Sequence, residues 1–144
     1  MKSSLTGSRI QTSLSFTLAV RRGKEAVEFY KRAFGATAVQ RAESPDGSVV
    51  VQLEIGGDRF FVADESVAHA NFSPESLSNR ASVRLALIDD DPDAFAPQAV
   101  ALGAQEVYPV EDQSYGWRLG RVVDPFGHHW EIGRPLHTTV EEER

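Results

Sequence analysis

The sequence carries the same alternating pattern twice, and a chain that repeats a βαβββ pattern has few ways to bury it. Positions 13–20 alternate Leu14, Phe16, Leu18 and Val20 with Ser15, Thr17 and Ala19, the period of a half-buried strand. Over 24–34 the apolar residues Ala26, Phe29, Tyr30 and Ala33 recur at helical spacing, and Gly35 follows where a helix end takes left-handed backbone. Strands then read over 37–42, 48–55 and 59–63, separated by the turn sequences Pro45-Asp46-Gly47 and Gly56-Gly57-Asp58. The pattern restarts at Val83, where Val83, Leu85 and Leu87 alternate with Arg84 and Ala86. A helical stretch runs to Leu102 with Gly103 after it, and strands follow near 105–110, 117–123 and 129–133. Gly35-Ala36 returns as Gly103-Ala104, and Gly57 returns as Gly127 at nearly the same offset. A lone βαβββ unit leaves one sheet face bare, so two units must pair around a common cavity. The expected fold is α+β, with two βαβββ modules forming a cup-shaped mixed sheet.

The division that follows is a tail over 1–12, one domain over 13–135 and an acidic tail over 136–144. Within the domain, module 1 occupies 13–64, a linker or lid 65–81, and module 2 82–135. The linker is placed there because Ser, Asn, Ala and Glu dominate it without periodicity. Pro97 lacks an amide hydrogen and clashes with a preceding turn, so it is expected in the first turn of the second helix. Asp89, Asp90 and Asp91 read as a solvated strand-to-helix turn with one Asp capping the helix.

Composition narrows the functional classes. A length of 144 residues suits one domain. Fifteen Lys and Arg against 21 Asp and Glu give a net charge of −6, which disfavours nucleic acid and anionic membranes as partners. There is no Cys, so disulfides, thiolate metal sites and cysteine nucleophiles are excluded together. The opening MKSSLTGSRIQTS has no apolar run of secretory-signal length, and a cytoplasmic location is expected. No nucleophile elbow, P-loop or dinucleotide fingerprint is present.

The segments EAVEFYKRAFGA (25–36) and GRVVDPFGHHWEIG (120–133) resemble the vicinal oxygen chelate superfamily, which holds glyoxalases, bleomycin-resistance proteins and extradiol dioxygenases, and within it the PhnB-like group. The resemblance covers about 13–135 and implies that each module forms half a cup and that the protein is a homodimer. Metal-dependent members of that superfamily place four ligands, usually His or Glu, at equivalent positions of the two modules. Those positions fall here on Ser15, Phe61, Arg84 and Glu131, with a one-residue slip to Val83 left open for the third. Glu131 alone is a plausible ligand; Phe61 has no donor and Arg84 brings a competing positive charge. No metal and no other cofactor is therefore expected.

His128-His129 adjoins Glu131, but neighbouring strand residues face opposite ways, so only His129 would share its face. Trp117 and Tyr115 are candidates for an aromatic ligand wall or for ordinary packing, and Trp130 is expected to pack against a helix. Three functions remain open. The first is a bleomycin-resistance-like protein binding a small organic, possibly anionic, ligand in the inter-module cup through Ser15, Phe61, Arg84, Trp117 and Glu131. The second is a glyoxalase-like lyase or isomerase, or a dioxygenase-like enzyme, with Glu131 as catalytic base or sole metal ligand. The third is a non-catalytic interaction protein. Arg84 and Glu131 are further expected to form an ion pair that supplies the positive charge of the missing metal.

Overall fold

The computed structural model describes residues 9–137. Module 1 runs β1 (Thr17–Val20), α1 (Gly23–Phe34), β2 (Thr37–Glu43), β3 (Val49–Ile55) and β4 (Asp58–Asp64). Module 2 runs β5 (Arg84–Ile88), α2 (Pro92–Ala101), β6 (Gln105–Asp112), β7 (Trp117–Val123) and β8 (His129–Pro135). Each module builds one four-stranded sheet, in the orders β1-β4-β3-β2 and β5-β8-β7-β6. The first strand of each lies parallel to the last, and the remaining pairs are antiparallel. The anticipated duplication is therefore present element for element. β1 is shorter than its alternation implies: residues 13–16 lie before it, and Phe16 is tied to β4 where the Phe61 amide donates to the Phe16 carbonyl at 2.9 Å.

The alternation predicts which face is buried. Leu18, Val20, Val49, Val51, Leu53, Phe60 and Val62 turn inward beneath α1, and Trp130 and Ile132 do the same from β8. α1 ends at Gly35, which takes φ 74°, a left-handed conformation that costs glycine nothing sterically. Its start is held from outside the helix: the Gly23 amide donates to Asp64 Oδ1 at 2.8 Å, satisfying one of the free amides of the first turn. In the second helix the first turn belongs to Pro92, and Pro97 lies inside the helix, contrary to expectation. The hydrogen bond lost is the single one Asp93 would have received, in a helix of 10 residues. Asp91 occupies the cap position without a side-chain bond; Asp89 Oδ2 instead accepts from the Asp91 amide at 2.8 Å and folds the turn locally.

The modules meet through an aromatic cluster of Phe29, Tyr30 and Phe34 on α1, Phe60 on β4, Phe126 in the β7–β8 turn and Trp130 on β8. Trp130 thus packs against a helix, as expected, though that helix belongs to the other module. At the centre is Asp124, 3% exposed. Its Oδ2 accepts from Tyr30 OH at 2.5 Å and from Trp130 Nε1 at 2.9 Å, and its Oδ1 accepts from the amides of Phe126 and His128. His128 reaches back and donates from Nε2 to the Ala19 carbonyl at 2.9 Å, and Arg22 donates to the Pro125 carbonyl.

Candidate functional site

With α1 and α2 covering one side of their sheets, the opposite sides carry the candidate residues. Register places Thr17, Phe61 and Gln52 abreast on the first sheet, facing away from the core, with Ser15 two residues before Thr17. On the second sheet it places Arg84 beside His129, Ala86 beside Glu131, and Glu131 beside Arg121. Trp117 shares the parity of Arg121 and so the same face. A one-residue slip would have reversed all of these, so the choice of Arg84 over Val83 agrees with the register.

Arg84 and Glu131 do form an ion pair, Nε to Oε2 at 3.1 Å. It is not isolated. Arg121 Nη2 donates to the same oxygen at 3.1 Å, and its guanidinium lies over the Tyr108 ring, 5.5 Å from the centroid. Arg84 is the more exposed partner, with 55% of its side chain accessible against 23% for Arg121 and 20% for Glu131. Arg121 Nε and His129 Nδ1 are buried beside this group with no hydrogen-bond partner among the described residues. Burial and then the Arg121 charge push the His129 imidazole below its ordinary value. Arg121 was not foreseen, yet the sequence held the signal: folding 117–123 back on 129–133 across the Asp124–Gly127 turn brings Arg121 opposite Glu131.

A cavity of about 600 Å³ lies between the modules. Ser15 and Thr17 line it from β1 and the chain before it, Arg84 and Ala86 from β5, and Phe72, Pro74, Leu77 and Arg80 from the linker. β1 and β5 are each the end strand of their sheet, so among the described residues both lack a strand partner on one edge. Phe61, Trp117 and Glu131 do not line this cavity; Glu131 reaches it only through Arg84. Within one chain, the five anticipated binding residues are therefore divided between the cavity and the bare sheet faces.

The linker is a built wall with two 3₁₀ turns, Val67–His69 and Pro74–Leu77. Glu65 anchors it by accepting from the Ser73 amide at 2.9 Å and the Ser76 hydroxyl at 2.9 Å, with Arg21 nearby. These hydrogen bonds, the Ser73 amide foremost, lower the Glu65 carboxyl from 4.5 to about 2. The wall also touches module 2, since Pro74 packs against Gly127 closely enough that a side chain there would collide with it.

The four ligand positions implied by the resemblance do not fit a divalent ion. Ser15 Oγ donates to the Arg59 carbonyl at 3.0 Å, Phe61 offers no donor, and Arg84 points its guanidinium at Glu131. No group of three or more His, Asp or Glu side chains with metal-binding geometry occurs among the described residues. Nor is any helix among them long and apolar enough to cross a membrane.

Comparison with known proteins agrees with this architecture. An uncharacterised protein of Mycobacterium tuberculosis strain H37Rv is 34% identical over 138 residues, covering 93% of this chain and 81% of its own. The crystal structure of a gene product of Arabidopsis thaliana is 30% identical with a TM-score of 0.68, covering 86% of this chain and 99% of its own. The fosfomycin resistance protein FosX of Listeria monocytogenes, crystallised with Mn(II) and sulfate, shares the fold with a TM-score of 0.67 at 18% identity, over 94% of this chain and 98% of that one. The sequence profile of the glyoxalase-like domain matches residues 15–133. The repeated βαβββ modules, the structural likeness and that match together establish that the chain belongs to the glyoxalase-like domain family of the vicinal oxygen chelate superfamily.

Proposed function

We propose that this protein binds a small organic anion in the inter-module cavity, with a guanidinium pair in place of the family's metal ion. The observation that carries the reading is the shared use of Glu131 Oε2 by Arg84 and Arg121, with Arg84 also lining the cavity. Two guanidiniums sharing one carboxylate leave a net positive charge beside the cavity, and Arg84, which lines it, offers planar donors to an oxyanion. The test is thermal unfolding of the protein with benzoate, phosphate and the neutral isostere benzamide. An anion that raises the midpoint in the wild type, with the rise lost in Arg84→Ala and Arg121→Ala, is the expected result. Equal effects of benzoate and benzamide, or no effect of any anion, would refute it.

The working form we propose is a cytoplasmic homodimer. Every residue of β2 is exposed, and the sheet faces carrying Phe61 and Trp117 have no covering element among the described residues. A second copy laid across them would bury those faces. Light scattering at micromolar concentration should give the mass of two chains, and the mass of one chain would rule the dimer out.

A further inference from the structure

We propose that the ligand of the inter-module cavity is amphipathic: an aromatic or alkyl body carrying one oxyanion head group. The proposal rests on the anion-binding reading above and extends it to the rest of the molecule bound. Leu14, Phe16, Phe72, Leu77 and Val83 are all exposed large apolar residues, and all five converge on this one cavity, joined by Leu85. Scattered singly, such residues mean little; gathered in a concave site they mark a place where apolar surface is to be covered. A cavity of about 600 Å³ falls within the range of roughly 300–1,000 Å³ typical of small-molecule sites.

The charges lining the cavity point the same way. In a chain of net charge −6, its walls hold Arg80, Arg84 and His128 and no Asp or Glu. Among the described residues Arg80 makes no ion pair, and Arg84 spends only its Nε on Glu131, with no partner there for its two terminal nitrogens. His128 is already committed through Nε2 to the Ala19 carbonyl, so the two guanidiniums carry the head group. One comes from the linker and one from β5, which gives the linker a direct part in binding. A second copy of the chain is a poorer occupant, because an apolar contact between copies has no need of two cations without a carboxylate to meet them.

The experiment titrates the full-length protein with three probes of one shape, naphthalene-2-carboxylate, naphthalene-2-methanol and naphthalene-2-methylammonium, and with acetate and phosphate as heads without a body. The carboxylate is expected to bind at least about tenfold tighter than the alcohol, as a charge-assisted hydrogen bond implies. The ammonium, acetate and phosphate should show no saturable binding. Arg80→Ala with Arg84→Ala should reduce the carboxylate to the affinity of the alcohol and leave the alcohol unchanged, while Phe72→Ala should weaken both. Equal binding of the three naphthyl probes, or indifference to the arginine substitutions, would overturn the proposal, as would naphthoate affinity that falls as protein concentration rises, which would assign the cavity to a second copy. If acetate or phosphate binds as tightly as naphthoate in an Arg84-dependent manner, the anion site stands and the apolar body does not. If no anion binds, both fail.

Discussion

Asp124→Ala is expected to lower the unfolding free energy by about 4 kcal/mol, enough to threaten folding of a domain this size. Asp124 is one buried carboxylate serving four donors: Tyr30 OH, Trp130 Nε1 and the amides of Phe126 and His128. Its removal leaves three buried donors and the part-buried His128 amide without their acceptor, and an orphaned buried donor costs more than the bond itself was worth. Tyr30→Phe deletes one of the four and should cost about 1–2 kcal/mol. The two substitutions should be strongly non-additive in urea titrations, because they share a bond. Burial, and then the Asp124 charge, push the Tyr30 phenol well above its ordinary 10.0. Because the folded value is the higher one, this contribution is complete below pH 10 and fades as pH rises toward the folded value. The Tyr30 phenolate signal, obtained by difference against Tyr30→Phe, should therefore appear together with loss of the folded circular dichroism spectrum. A phenolate at Tyr30 in an intact fold near pH 10 would show that the bond to Asp124 is weak.

Arg121→Ala is expected to cost about 2 kcal/mol and Arg84→Ala under about 1 kcal/mol. Both bond the same oxygen of Glu131, but Arg84 is more than half exposed, where water and salt screen the pair and the side chain keeps much of its freedom. With Arg84 gone, Arg121 still holds Glu131. With Arg121 gone, a largely covered carboxylate keeps only an exposed partner, and Tyr108 loses the cation over its ring. Double-mutant cycles should thus give a larger coupling for Arg121 with Glu131 than for Arg84 with Glu131. Equal couplings would mean that the two guanidiniums act independently.

Periodicity and turn glycines were enough to read the modules and most buried faces, because each strand faces one core; the alternation holds at Leu18 and Val20, while Leu14 and Phe16 are exposed, and the choice between Arg84 and Val83 stayed open. The structural register puts Arg84 on the face of Glu131, where the two make contact. Contacts between modules were not legible. Nothing in Asp124-Pro125-Phe126-Gly127 reveals that the turn is clamped by Tyr30, ninety-odd positions away, since such a bond depends on how two modules dock and not on local pattern. The cavity wall escaped for a related reason. Residues 65–81 lack periodicity because they form 3₁₀ turns held by Glu65, Ser73 and Ser76, and side-chain bonds of this kind leave no hydrophobic repeat. Pro97 was misplaced because a single helix bond is easily given up when Pro92 already starts the helix.

What balances the charge of Glu131 separates an arginine-paired site from a metal site. Elemental analysis of the purified protein, after growth in medium containing Zn, Ni, Mn and Fe, is expected to find no stoichiometric metal, and titration with Mn(II) should give no saturable binding in wild type or in Arg84→Ala. One metal ion per chain, lost on Glu131→Ala, would contradict it and make Glu131 a metal ligand in place of an arginine partner.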